Sequence, residues 1–205
     1  MVHLDLAKYH EMGRFKEQDG AECDMDAAMF HLKQAVNCEV LEAIQIMAKL
    51  YLNMPTDIFS SVQIPEDEEN IDIGVGYMHN AADAGDRQAM IHLAKAYDTG
   101  VNLGSQRERD WKQAVYWYDR AIHTDEIDAG GEFDSTMDDP MYMLMSCEAE
   151  LWRKGGLGLT KDPSYAGELY TMAADNAMES MKGRLANKFY ALAEEAWAEV
   201  EEPEE

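Results

Sequence analysis

Histidine and carboxylate side chains are the groups of this chain whose types could support catalysis or metal binding. A zinc peptidase needs the order His-Glu-x-x-His on a helix, because its two imidazoles must lie one turn apart to share the metal. The chain contains six histidines, but only the beginning of that order, at His10 and Glu11. His10 and His31 instead occupy ring positions of two repeated helical patterns. We therefore interpret them as packed imidazoles rather than metal ligands.

An acidic segment at 125–138, together with Asp139, supplies seven carboxylates of the kind that bind calcium. In an EF-hand loop, acidic or amide residues alternate before a central glycine and a closing glutamate, and the order here is different. The chain also lacks a Gly-x-x-x-x-Gly-Lys phosphate loop, a Gly-x-Ser-x-Gly nucleophile elbow and a kinase catalytic loop. We expect no catalytic residue, no metal site and no cofactor in this chain.

A short pattern that occurs five times indicates how the chain is organised. In each copy an alanine is followed three residues later by a ring, and the copies are separated by 37 to 55 residues, which is typical of helical repeats with loop insertions. On a helix these two positions share one face, so the alanine lets a neighbouring backbone approach while the ring fills the groove beside it. The pairs are Ala7 with His10, Ala48 with Tyr51, Ala94 with Tyr97, Ala149 with Trp152, and Ala186 with Phe189.

A second pattern alternates with the first and begins at Ala28, Gly74, Ala114 and Ala166. It has a small residue, a bulky pair three and four places later, and an alanine at the seventh place. Each repeat therefore contains two antiparallel helices, and the sequence predicts an all-α helical solenoid over 1–200. We place nine helices near 3–13, 24–37, 40–53, 70–84, 86–99, 109–124, 139–154, 162–176 and 178–200. Two insertions, 54–69 and 125–138, are expected to be surface loops, and the acidic residues 201–205 are expected to form a tail.

Composition and charge narrow the classes of partner. The 41 acidic and 17 basic side chains give a net charge of −24, which repels a phosphate backbone, so we expect no nucleic-acid partner. The chain has no run of 18 apolar residues, so we expect no membrane partner. Its three unevenly spaced cysteines favour a reducing cytoplasm. The excess of acid is either a solvated helix surface or a field that steers a basic partner.

The last third of the chain carries the most specific sequence segments. They are 130–134 (GGEFD), 139–143 (DPMYM), 154–159 (KGGLGL), 177–187 (AMESMKGRLAN) and 193–197 (AEEAW). These segments resemble the carboxy-terminal Sel1-like region of the elongation factor 2 kinases, which belong to the alpha-kinase family. Sel1-like repeats are relatives of tetratricopeptide repeats. Upstream segments at 9–15, 30–38 and 84–88 extend the resemblance over nearly the whole sequence.

The resemblance implies a role as part of a larger kinase. Members of that family are serine/threonine kinases, activated by calcium-calmodulin, that phosphorylate elongation factor 2 and slow translation elongation. Their kinase domain lies upstream of the region that this chain resembles, so the chain itself is expected to be noncatalytic. The implied role is a docking module that recruits elongation factor 2, and we expect a monomer. The alternative is an intramolecular scaffold that packs on the kinase domain and its bound calmodulin.

The resemblance also implies where docking occurs. The last helix of a solenoid has no later repeat to cover its outer face, so its rings can remain available to a partner. The other interpretation is that they only cap the solenoid, which suits Phe189 because it belongs to the fifth copy of the first pattern. The implied docking residues are Phe189, Tyr190, Ala196 and Trp197, and the residues implied to support that helix are Lys182, Arg184 and Asn187.

Overall fold

The structure, a computed structural model, describes residues 2–14, 23–124 and 139–200. These ranges contain nine helices and no β-strand, so the prediction of an all-α fold is confirmed. None of the described helices is long and apolar enough to cross a membrane. The helices are α1 (Val2–Glu11), α2 (Met25–Asn37), α3 (Leu41–Tyr51), α4 (Glu68–Asp83), α5 (Arg87–Thr99), α6 (Trp111–Ile122), α7 (Met141–Lys154), α8 (Pro163–Glu179) and α9 (Gly183–Ala198).

The small residues of both patterns lie in the interior. The five alanines of the first pattern are fully buried, and so are the small residues that begin the second. Because a methyl group or a hydrogen is all that each position carries, neighbouring helices can approach closely there. The patterns therefore identify the packed face of each helix.

Aspartates begin most of the helices. In five of the nine described helices the residue before the first turn is an aspartate whose carboxylate accepts a hydrogen bond from a backbone N–H of that turn. Such a cap contributes about 1 kcal/mol, because it satisfies a donor that the helix leaves unpaired. The five are Asp24, Asp67, Asp86, Asp110 and Asp162.

The turn between α8 and α9 differs from the sequence prediction. We expected a helix from 178, whereas α8 continues to Glu179 and α9 begins at Gly183. Met181 adopts a left-handed conformation with φ of 58°. The N–H of Lys182 donates to the carbonyl of Ala177 at 2.8 Å, and the N–H of Met181 donates to that of Met178 at 2.9 Å. This pair of hydrogen bonds ends a helix at a left-handed residue, which is usually a glycine. Because the residue here is a methionine, the sequence pattern does not indicate this helix end.

The described contacts divide the chain into two compact units. The first comprises Met1–Ala84 with Asn102–Arg107, and the second comprises Gly85–Val101 with Glu108–Glu205. In the first unit, the Asp72 carboxylate of α4 holds the segment 102–107 by accepting hydrogen bonds from the backbone of Ser105 and Gln106. The second unit contains α5 to α9. A single solenoid over 1–200 stays a prediction.

The insertion at 54–69 is anchored in the core of the first unit. Phe59 is completely buried there beside Leu4 and Met47, and the backbone N–H of Phe59 donates to the carboxylate of Glu11. The expectation of a surface connector is therefore wrong for the middle of this segment, because Phe59 belongs to the same buried cluster as residues of α1 and α3. The other predicted insertion, 125–138, and the predicted tail, 201–205, lie outside the described residues.

Candidate docking site

A line of close contacts joins α8 to α9 along one side of the two helices. The closest pairs are Gly167 with Trp197 and Asp175 with Tyr190. A third pair, Met178 with Gly183, lies at the turn, where a methyl group added to Gly183 would be 3.9 Å from the methionine sulfur. The residue numbers fall along α8 as they rise along α9, so the two helices are antiparallel. We call these six residues the α8–α9 seam.

Trp197 lies against the backbone of α8 at Gly167. A methyl group added to Gly167 would be 2.2 Å from Nε1 of the indole, far inside van der Waals contact. The ring therefore requires a residue without a side chain beneath it. The side chain of Trp197 is nevertheless 45% exposed, so a large aromatic surface is held in a defined position while it faces solvent.

Tyr190 is fixed by a hydrogen bond. Its hydroxyl donates to Oδ1 of Asp175 at 2.5 Å, and this bond raises the pKa of the Tyr190 hydroxyl above its ordinary value. About a third of the side chain is exposed. Because the hydroxyl already has a partner, a second protein would contact chiefly the ring.

Two of the four predicted docking residues do not reach the surface. Phe189 is 3% exposed and Ala196 is fully buried, and they share one stripe of α9 with Ala186 and Ala193. This spacing of three and four residues is that of a packed helix face. A partner cannot contact Phe189 or Ala196 without unpacking α9, so direct docking by this helix is limited to Tyr190 and Trp197 among the four.

Lys182, Arg184 and Asn187 are exposed, and their side chains form no hydrogen bond or ion pair with a described residue. Lys182 contributes through its backbone instead, because its carbonyl accepts hydrogen bonds from the N–H groups of Leu185 and Ala186 at the start of α9. The supporting role of Arg184 and Asn187 stays a prediction. Arg153 at the end of α7 pairs with Glu195 at 3.1 Å and with Glu199 at 2.7 Å, and Lys161 pairs with Glu199 at 2.8 Å.

The bond from Lys161 contributes most to lowering the pKa of the Glu199 carboxyl, and those from Arg153 add to it. Sequence analysis missed these long-range pairs, because nothing in the local pattern relates residue 153 to residue 199. It also missed Gly167, although a glycine in the interior of a predicted helix is a usable signal of close approach.

Both helices of the seam carry exposed acidic side chains. Glu168 of α8 and Glu194 of α9 are exposed, as is Asp175 within the seam. Among the described residues, no group of three or more histidine, cysteine, aspartate or glutamate side chains is arranged to hold a metal ion. The arrangement thus presents two fixed rings, with carboxylates at the edge, which suits contact with another protein.

The fold defines the class of protein. A crystal structure of a Sel1 repeat protein from Oxalobacter formigenes matches 95% of this chain and 71% of its own chain, with a TM-score of 0.52 and 17% sequence identity. At that identity the match shows the fold alone, and the fold is that of Sel1-type helical repeats. No family profile matches the chain.

Sequence similarity points to a particular protein. The chain is 49% identical over 201 residues to eukaryotic elongation factor 2 kinase of Rattus norvegicus and to that of Homo sapiens, which covers 98% of this chain and 28% of each kinase. It is 33% identical over 235 residues to the kinase of Caenorhabditis elegans, which covers 94% of this chain and 31% of that protein. The resemblance to the elongation factor 2 kinases is therefore confirmed over nearly the whole chain, which spans less than a third of these relatives' length.

Proposed function

We propose that this chain is a noncatalytic protein-interaction domain of an elongation factor 2 kinase, and that it recruits elongation factor 2 in the cytoplasm for phosphorylation by a separate alpha-kinase domain. Its similarity to part of that kinase supports the connection to translation elongation. The observation that carries the docking proposal is the exposed indole of Trp197, seated on Gly167.

The seam has the properties of an interface anchor. Tryptophan and tyrosine contribute most of the binding energy in many interfaces, and they do so best when their conformation is fixed before binding. Gly167 and Asp175 fix the two rings, so little side-chain entropy remains to be lost. The carboxylates around the rings and the net charge of −24 favour a partner with a basic surface.

Binding of the isolated chain to purified elongation factor 2 tests the proposal. Trp197→Ala should weaken binding at least tenfold, since central tryptophans typically contribute about 2 kcal/mol or more. Tyr116→Ala on α6 is the matched control, because that ring is similarly exposed and lies outside the seam; it should change affinity less than twofold. Equal losses in the two variants, or no binding by the intact chain, would contradict the proposal.

A second variant separates docking from loss of packing. Gly167→Ala keeps the indole but displaces it, because the added methyl group would overlap the ring. We expect this variant to weaken binding as well, whereas Gly76→Ala in α4, where an added methyl group meets nothing within 4 Å, should bind normally. Normal binding by Gly167→Ala would show that the fixed ring is not what the partner recognises.

The alternative function is an intramolecular scaffold that packs on the kinase domain and the calmodulin bound to it. The observation that favours it is that the match covers only 28% of the kinase of Rattus norvegicus. Most of that protein therefore lies outside the matched region and could be what this chain packs on. Adding this chain in trans to a kinase that lacks the region distinguishes the two. Restored phosphorylation of elongation factor 2 alone supports recruitment, whereas restored autophosphorylation as well supports the scaffold.

A further inference from the structure

Three histidines from two helices lie together in the first unit. Nδ1 of His3 on α1 is 2.9 Å from Nδ1 of His31 on α2. The two ring centres are 5.2 Å apart, so the rings meet at their nitrogen edges. The ring of His10, two turns after His3 on α1, lies 5.3 Å from that of His31 in a stacked arrangement.

The contact between two Nδ1 atoms restricts the protonation states of the rings. A hydrogen bond of this length needs one nitrogen that carries a proton and one that offers a lone pair. A neutral pair satisfies this when the rings are opposite tautomers, and a pair with one added proton satisfies it when the imidazolium donates to the neutral ring. A doubly protonated pair has no acceptor, and its two positive charges repel each other.

We propose that the His3–His31 pair is a proton-sensitive link between α1 and α2, which holds while at most one ring is charged and opens when both are. This inference does not depend on the docking proposal, because it concerns other residues and a different measurement.

The surroundings of His31 favour its neutral form. Burial of the ring contributes most to lowering its pKa, and the charges of His3 and His10 add to this effect. A histidine whose pKa is lowered on folding stabilises the folded state above its ordinary value, near 6.5, and that contribution is lost as the pH falls below it. Because one neutral ring is enough to keep the hydrogen bond, the link opens once the pH falls below the lowered pKa of His31 and both rings are charged.

Two other charged groups on α1 have partners away from the His31 ring. Lys8 of α1 pairs with Glu42 of α3 at 2.7 Å, and Glu11 of α1 accepts a hydrogen bond from the backbone of Phe59. On α2, Phe30 meets the His31 ring edge-on and carries no charge. The ionisable groups that act on His31 are thus His3 and His10, both from α1.

Opening the link would loosen more than one contact. The helix α1 places Leu4 and Ala7 in the core of the first unit, and it supplies the carboxylate that holds the insertion at Phe59. Loss of the link would therefore make the amides of α1 exchange faster in mild acid.

Nuclear magnetic resonance of the ¹⁵N-labelled chain tests the link directly. At pH 7.5 we expect a scalar coupling between Nδ1 of His3 and Nδ1 of His31 across the hydrogen bond, and we expect its loss at pH 5. Hydrogen exchange of α1 amides, corrected for the intrinsic rate at each pH, should rise at least tenfold over the same interval. Absence of the coupling at pH 7.5 would overturn the proposal, whatever the variants show.

A pair of variants tests the role of protonation. His31→Asn keeps a polar group near the position of Nδ1 but does not titrate, so the acid-induced rise in α1 exchange should fall below threefold. His123→Asn removes a histidine that is largely exposed, and it should keep the full rise. An unchanged rise in His31→Asn would show that another group is responsible.

Discussion

The first and last helix pairs of the chain use the same sequence pattern with different chemistry. In both, a fully buried alanine precedes a ring by three residues: Ala7 and His10 on α1, and Ala186 and Phe189 on α9. Phe189 is buried, whereas His10 is only partly buried and lies beside His31. The α8–α9 junction contains no histidine at all.

In these two helix pairs the pattern specifies the shape of the contact more than its chemistry. A small residue followed by a ring produces a close helix contact whether the ring is an imidazole or a benzene. The chemistry decides how the contact responds to its surroundings, because an imidazole gains a charge near neutral pH and a phenyl ring does not. The α1–α2 contact is therefore expected to respond to acid, and the α8–α9 contact to depend on packing.

Substitution of the two ring residues should give the largest difference in the free energy of unfolding between the two helix pairs. Phe189→Ala removes a buried ring and leaves a cavity, so it should lower the free energy of unfolding by about 3–5 kcal/mol. His10→Ala removes a partly exposed ring and should cost about 1 kcal/mol. Urea denaturation at pH 7.5 measures both. Equal losses would mean that the two rings pack equally tightly and would remove the contrast between the pairs.

Glu148 on α7, in the second unit, is expected to make stability depend on pH in the opposite direction to His31. The residue is only 2% exposed, and burial raises the pKa of its carboxyl to about 7, although a hydrogen bond from the Trp152 indole at 3.1 Å acts in the other direction. A carboxyl whose pKa is raised on folding favours the folded state at low pH, and that contribution is lost as the pH rises through about 7.

Glu148→Gln should therefore become more stable than the wild type as the pH rises, by about 3 kcal/mol at pH 8 and by almost nothing below pH 4.5. Urea denaturation at several pH values checks this, with Glu194→Gln at an exposed position as the control. A difference that does not change with pH would show that folding leaves the pKa of Glu148 unshifted.

Gly167→Ala should reveal how tightly the seam is packed. Alanine is the better helix former by about 1 kcal/mol, yet the displaced indole of Trp197 should make the variant less stable by about 1–3 kcal/mol. Gly76→Ala on α4 should instead gain up to about 1 kcal/mol, because the added methyl group meets nothing. Thermal unfolding of the two variants compares them, and a gain in both would mean that Trp197 moves aside freely.

The smallest expected effect belongs to a surface ion pair of the first unit. Lys8→Ala removes the contact with Glu42, which is half exposed, so it should cost less than about 1 kcal/mol. The loss should shrink further in 0.5 M salt, because screening weakens exposed pairs. A loss above 2 kcal/mol that does not depend on salt would mean that Lys8 contributes mainly through packing of its aliphatic stem.

Local patterns in the sequence predict most of the helices. The alanine and ring positions mark the buried faces, and Asp162 followed by Pro163 marks the start of α8 correctly. These signals work because they depend on neighbours within one or two turns. The left-handed Met181 is an exception, since only the packing of α8 and α9 favours that conformation over a continued helix.

The candidate site is harder to predict, because its residues are distant in sequence. Trp197 and Tyr190 could be named from the resemblance, but their partners Gly167 and Asp175 lie on another helix. The contact of His3 with His31 also joins residues that are distant in sequence. The sequence indicates only that imidazoles occupy packed positions. Phe59 shows that one ring in a proline-rich insertion can be a core residue, which no periodic pattern indicates.

The missing side chain at Gly167 also fixes the helical register of α9. Each residue of a helix rotates the residues after it by about 100°, so inserting or deleting one residue within α9 before Trp197 would turn the indole away from Gly167. The other residues of α8 carry a β-carbon, which would clash with the indole ring. Substitutions on the exposed face of α9 should therefore disturb this contact far less than a change in the number of residues between Gly183 and Trp197.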